Sequence, residues 1–132
     1  MQPRRYEEID GDELLWRRLT SPDWITPTDD GGKRVSSGAF RGRSNEDQLS
    51  VHIAALTTLE QIFSTPPYCD AVGEIVARDF QSLGRLVSHT PDLENNDYSH
   101  ASVALSSNKG QRKKDAAAVS KKAKLIERGD TA

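Results

Sequence analysis

Four arginines in the first third of the chain, Arg17, Arg18, Arg34 and Arg41, surround the short turn Ser36-Ser37-Gly38. A guanidinium presents a planar fork of N–H donors that matches phosphate or carboxylate oxygens, and a glycine turn lets backbone approach an anion closely. The grouping therefore offers an anion pocket. The competing reading pairs these arginines with the acidic residues that dominate this part of the chain. Ser37 has no GxSxG elbow around it, so Ser36 and Ser37 read first as hydroxyls bonding local amides.

The three histidines are the next source of chemistry. His89 and His100 flank a stretch holding Asp92, Glu94 and Asp97, and imidazole with carboxylate would suit a metal if the turn brought them together. No HxxxH or HExxH spacing supports it, and Asp and Asn are ordinary turn formers, so His89 and His100 stay candidates and no metal is expected. His52 falls on the polar side of a predicted strand. The single cysteine, Cys69, excludes an internal disulfide and a multi-cysteine zinc site. Neither GxGxxG nor GxxxxGK[ST] occurs, and no cofactor is expected.

A change of charge near Ser107 points to a partner instead. Up to residue 106 the chain holds seventeen acidic and ten basic residues, and from 107 onward eight basic and three acidic. Lysine, almost absent before the break, supplies six of those eight cations. Residues 111–128 lack Gly and Pro, and helical spacing sets Ala116, Val119, Ala123 and Ile126 on one stripe. Lys113, Lys114, Lys121, Lys124 and Arg128 gather on the other side. The first reading is a solvated helix that docks this stripe on the body while its lysines face water. The others are contact with a nucleic acid backbone and with a protein partner of acidic surface, this chain's own body included. Without aromatics in the tail, nucleic acid contact would be weakly selective and salt-sensitive.

The elements that must position these groups are short. Residues 1–11 read as a flexible N-terminus, and 12–19 as a short helix or the start of a strand. The Pro- and Gly-rich 21–32 segment is loop. LSVHIA (49–54) alternates as a strand, with Leu49, Val51 and Ile53 on one face and Ser50 and His52 on the other. A Thr-capped helix follows over 57–63 and is stopped by Pro66-Pro67. Strands are expected at 71–77, 85–89 and 100–106, with a short helix at 78–84. The result is a small single-domain α+β fold over 12–106 with a mixed or antiparallel sheet, followed by a basic helical tail over 107–132. No apolar run approaches the roughly 18 residues that span a bilayer, and no secretory leader is read at the N-terminus. A cytoplasmic protein with no membrane partner is expected.

The order LWRRL, SSGAF, LSVHIAALTTLEQ, ARDFQSLG and a late HTPD…SHASV resembles a group of small uncharacterised bacterial proteins over residues 14–106. A fainter likeness is to RES-domain toxins, whose ADP-ribosyltransferase-like fold consumes NAD. That resemblance aligns Arg17 or Arg18 with the family's arginine and LSVHIAALTTLEQIF with its strand–helix unit. His52 stands where that family has a strand tyrosine, and Glu60 falls earlier in the helix than the family's glutamate. The expected function is thus a small binding or accessory protein that engages a macromolecule through the Lys-rich helix or the Arg-rich loop. The alternatives are an NAD-consuming enzyme built on Arg17, Arg18, Ser37 and Glu60, and an antitoxin-like or immunity partner of a neighbouring protein.

Overall fold

Alternating side chains make β5 (Gln48–Ile53) the best example of how this sequence makes its sheet. Leu49, Val51 and Ile53 are buried in the main core, while Ser50 and His52 point to the opposite face. The computed structural model describes residues 7–43 and 45–131. Its other strands are β1 (Glu7–Glu8), β2 (Leu14–Arg18), β3 (Ile25–Pro27), β4 (Lys33–Val35), β6 (Ala71–Val76), β7 (Val87–His89), β8 (His100–Ala104) and β9 (Lys124–Glu127). Seven of the nine form one sheet in the order β1-β7-β8-β5-β2-β6-β9, with every neighbouring pair antiparallel. β3 and β4 make a separate ribbon. The α+β class holds.

Residues 14–18, open to either helix or strand from sequence, form β2. Neighbours decide it: β6 pairs with all five residues from Leu14↔Val76 to Arg18↔Val72, and tertiary pairing outweighs local preference. α1 (Leu59–Ser64) starts where expected, with Thr58 Oγ1 accepting from Gln61 N at 3.1 Å. α2 (Arg78–Gln81) is shorter still.

α3 (Lys109–Lys122) docks on the body through its apolar stripe but is shorter than the helix expected over 111–128. Its N-cap is Asn108, and Ala116 and Val119 are wholly buried in the main core. Buried Asp115 lies 3.1 Å from Arg85 Nε, a pair that ties the helix to the body. The helix then stops, and β9 adds itself to the edge of β6 with Val72 opposite Ile126. A continuous helix to 128 would have left that edge unpaired; Leu125 and Ile126 suit a strand that covers it. Lys124 and Ile126 therefore belong to β9, not to the helix.

The N-terminus differs similarly from expectation. Glu7 and Glu8 pair with His89 and Ser88 at the far edge of the sheet, while residues 1–6 lie outside the described residues. α3, α2 and the 3-10 turn Ser37–Phe40 cover one face of the sheet, where Phe40 meets Phe80 edge to face with centroids 6.2 Å apart. α1 covers part of the other face through Ile62 and Phe63, which pack with Cys69, Val72 and Trp16. Among the described residues no helix is long and apolar enough to cross a membrane.

Candidate functional site: a cleft where the sheet parts

β2 follows β6 along its full length but pairs with β5 only at Leu15↔Ile53 and Trp16↔His52. Beyond Trp16 the two central strands separate, and a broad cleft of about 1150 Å³ opens there. Alternation along β2 sends the side chains of Arg17 and Arg18 to opposite sides of the strand, and both line this cleft.

Arg17 bridges the gap. Its Nε donates to Ala39 O at 2.9 Å and its Nη1 to Ser50 O at 3.0 Å, and its guanidinium lies 5.0 Å from the centre of the Trp24 ring. Burial lowers its pKa from 12.5 to about 10, with Glu46 opposing the shift and Arg43 adding to it. It remains cationic at neutral pH.

Arg18 is buried. Its Nη1 donates to the carbonyl oxygens of Ile62, Thr65 and Pro67 at 2.6, 2.8 and 2.9 Å, which ties β2 to the end of α1. Its Nε donates to His52 Nε2 at 3.1 Å. Since a guanidinium only donates, His52 accepts on Nε2 and presents Nδ1–H to Asp97 Oδ2, 3.2 Å away. Ser99 Oγ donates to the other oxygen of Asp97 at 2.6 Å. Burial alone would raise the Asp97 pKa; the hydrogen bonds from His52 and Ser99, with the field of His52 and His100, instead bring it down to about 2.

The rest of the lining is mixed: Ser36, Ser37, Gly38, Arg41, Ser50 and His100 share it with Trp24, Pro66 and Pro67. Ser36 Oγ is hydrogen-bonded to Thr26 Oγ1. Glu46 lies 3.9 Å from Arg43, and Asp92 accepts from Asn95 at 2.8 Å. Arg17, Arg18 and Arg41 form no direct ion pair among the described residues, although the carboxylates of Asp23, Glu46, Asp92 and Asp97 also line the cleft.

The candidates from sequence divide accordingly. Arg17, Arg18, Arg41, Ser37 and His100 share the cleft; Arg34 is exposed on β4 and Glu60 is exposed on α1, both outside it. The RES arginine–glutamate pair is thus not assembled from Glu60. Lys113, Lys114 and Lys121 are exposed on α3, Lys124 is exposed on β9, and Arg128 lies 3.5 Å from Asp70. His89 is buried elsewhere, its Nε2 donating to Tyr98 O at 2.6 Å, and borders a small cavity of about 90 Å³. Among the described residues no three His, Cys, Asp or Glu side chains converge as a metal site would require. Burial raises the Cys69 pKa, against the nearby Arg18 charge, which leaves it an unreactive core thiol.

Ser50, Trp24 and the role of Asp97 in orienting His52 were missed as site features. The alternation that places Ser50 and His52 on one face was visible, but what they face depends on the register β5–β8, which pairs His52 with His100. No protein-family pattern, curated protein or solved structure matches the chain.

Proposed function

We propose that this protein binds a phosphate-bearing small molecule of nucleotide size in the Arg17–Arg18 cleft. The observation that carries this reading is a pair of buried or half-buried guanidiniums, Arg17 and Arg18, with hydrogen-bond acceptors around them but no carboxylate paired with either. Neither guanidinium touches a carboxylate directly, and a bound phosphate would offset part of the cost of desolvating them. The cleft volume of about 1150 Å³ suits a nucleotide rather than a lone ion.

The test is calorimetric titration of the full chain with ADP at low salt. Binding should weaken about tenfold or more in Arg17→Met, in keeping with the loss of one charge-assisted hydrogen bond. Arg17→Lys should rescue it only in part, because a lysine lacks the fork that spans the gap. ADP that fails to bind at millimolar concentration, or binds Arg17→Met equally well, overturns the reading.

A second reading concerns α3. Lys113, Lys114 and Lys121 point outward and form no ion pair among the described residues, which favours contact with an acidic protein surface or a nucleic acid backbone. It ranks below the cleft because exposed lysines are common on solvated helices, whereas buried unpaired arginines are not.

A further inference from the structure

Ser50 and His100 meet on the polar face of the sheet in an arrangement that binding alone does not require. Ser50 is exposed on β5, and its Oγ lies 3.2 Å from His100 Nε2. His100 Nδ1 lies 2.8 Å from the carbonyl oxygen of Thr90 and 3.0 Å from Thr90 Oγ1. A carbonyl oxygen only accepts, so Nδ1 carries the ring hydrogen and Nε2 turns its lone pair toward the Ser50 hydroxyl. Thr90 is itself fixed by a 2.7 Å hydrogen bond between its Oγ1 and Ser102 Oγ. The Arg17 guanidinium bonds the carbonyl of Ser50 at 3.0 Å, so a cation sits within one residue of that hydroxyl.

We propose that Ser50 is a nucleophile and His100 its general base, acting on the phosphoanhydride of a nucleotide held in the cleft. The proposal rests on the reading of the cleft as a phosphate site. A hydroxyl, an imidazole within hydrogen-bond reach and a third group that orients the imidazole are the parts that activate a weak nucleophile. Thr90 is the positioning residue. The substrate class follows from the reading of the cleft. His52, the other imidazole, is bonded at both ring nitrogens, by Arg18 and by Asp97, which leaves His100 as the imidazole that can exchange a proton in this site. A phosphoanhydride suits a site with a single acid–base group, because its leaving phosphate departs as a stable anion and His100 is needed only at Ser50.

In the first step the Ser50 Oγ–phosphorus bond forms, the Oγ proton passes to His100 Nε2, and the bridging oxygen leaves with its electron pair on the nucleotide phosphate. His100 then returns its proton to solvent. In the second step it takes a proton from water as the water oxygen bonds phosphorus, and passes it to Ser50 Oγ as the seryl–phosphorus bond breaks. Arg17 and Arg41 neutralise the phosphate oxygens in both.

A fluorophosphonate probe tests the nucleophile directly, because its phosphorus bonds a serine oxygen as fluoride departs. Peptide mass spectrometry of the labelled full chain should place the adduct on Ser50. Ser50→Ala should abolish it, and His100→Gln should slow it at least about 100-fold while keeping a native melting curve. ADP should protect Ser50 from the probe and be converted to AMP and phosphate by the unlabelled protein but not by Ser50→Ala. No adduct on Ser50, or equal labelling in a folded His100→Gln, overturns the pair. Labelling that ADP does not slow, with no ADP bound by calorimetry, leaves the pair standing and overturns the phosphate reading. Labelling and ADP binding without ADP turnover overturn the phosphoanhydride as substrate.

Discussion

A guanidinium held by three carbonyl oxygens, as Arg18 is by Ile62, Thr65 and Pro67, is satisfied in hydrogen bonds but not in charge. Removing it strands buried acceptors, and charge-assisted bonds of this kind are individually strong. Arg18→Met should therefore lose about 2–4 kcal/mol of stability by urea denaturation, even though it relieves the desolvated charge. A variant as stable as the parent would show that the carbonyls find other donors. Asp97 gives the residue scale a pH signature. Its carboxyl is held at about 2 against an ordinary 3.8. The stabilisation is complete above 3.8, is lost as pH falls through about 2, and amounts to no more than about 2 kcal/mol before the solvent reaching its side chain is allowed for. Asp97→Asn should be less stable than the parent at pH 7 and should lose less on going from pH 4 to pH 2. Urea midpoints across that range would decide it, and parallel acid limbs in the two proteins would rule Asp97 out as their source.

The elements were legible where side-chain period and turn chemistry agreed. β5 shows the expected faces, Thr58 caps α1, and Gly84 ends the segment after α2 with φ 82°. The sequence was silent where pairing with a distant strand decided the outcome. β2 was ambiguous until β6 claimed it, and the helical stripe through Ile126 was a false continuation because β9 completes the β6 edge. The same applies to the cleft: Arg17 and Arg18 were visible as a pair, but the gap they enter comes from β5 and β2 separating after two paired positions. Two glycines let backbone strain and packing be separated. Gly42 has φ 73°, and an added Cβ would lie 2.6 Å from Leu105 Cδ1, whereas Gly84 has φ 82° with nothing within 4 Å. Gly84→Ala should cost about 1 kcal/mol for its left-handed backbone, and Gly42→Ala clearly more, because Leu105 must also move. Equal losses in thermal or urea unfolding would mean that Leu105 yields freely.

At the scale of the whole molecule, the acidic body and basic tail act largely as parts of one structure. Arg85 holds Asp115 across the α3 interface, Lys122 approaches Asp79 at 4.0 Å, and Lys33 meets Glu127 of β9 at 3.2 Å. The exposed pairs contribute little singly. The binding of tail to body comes from Ala116 and Val119 in the main core and from β9 on the sheet edge. Truncation after Ser107 should then do more than remove a basic arm. It would open the face of the sheet that α3 covers and expose the β6 edge, so the shortened chain should show no cooperative thermal transition by circular dichroism and should aggregate. Reversing the charges of Lys113, Lys114 and Lys121 to glutamate removes the basic face without touching that packing. It should keep the cooperative transition, shifted by about 1 kcal/mol or less. The two variants together separate scaffold from surface. A truncated chain that still melts cooperatively and binds ADP would make the tail an appendage after all, and the charge boundary near Ser107 a true domain boundary.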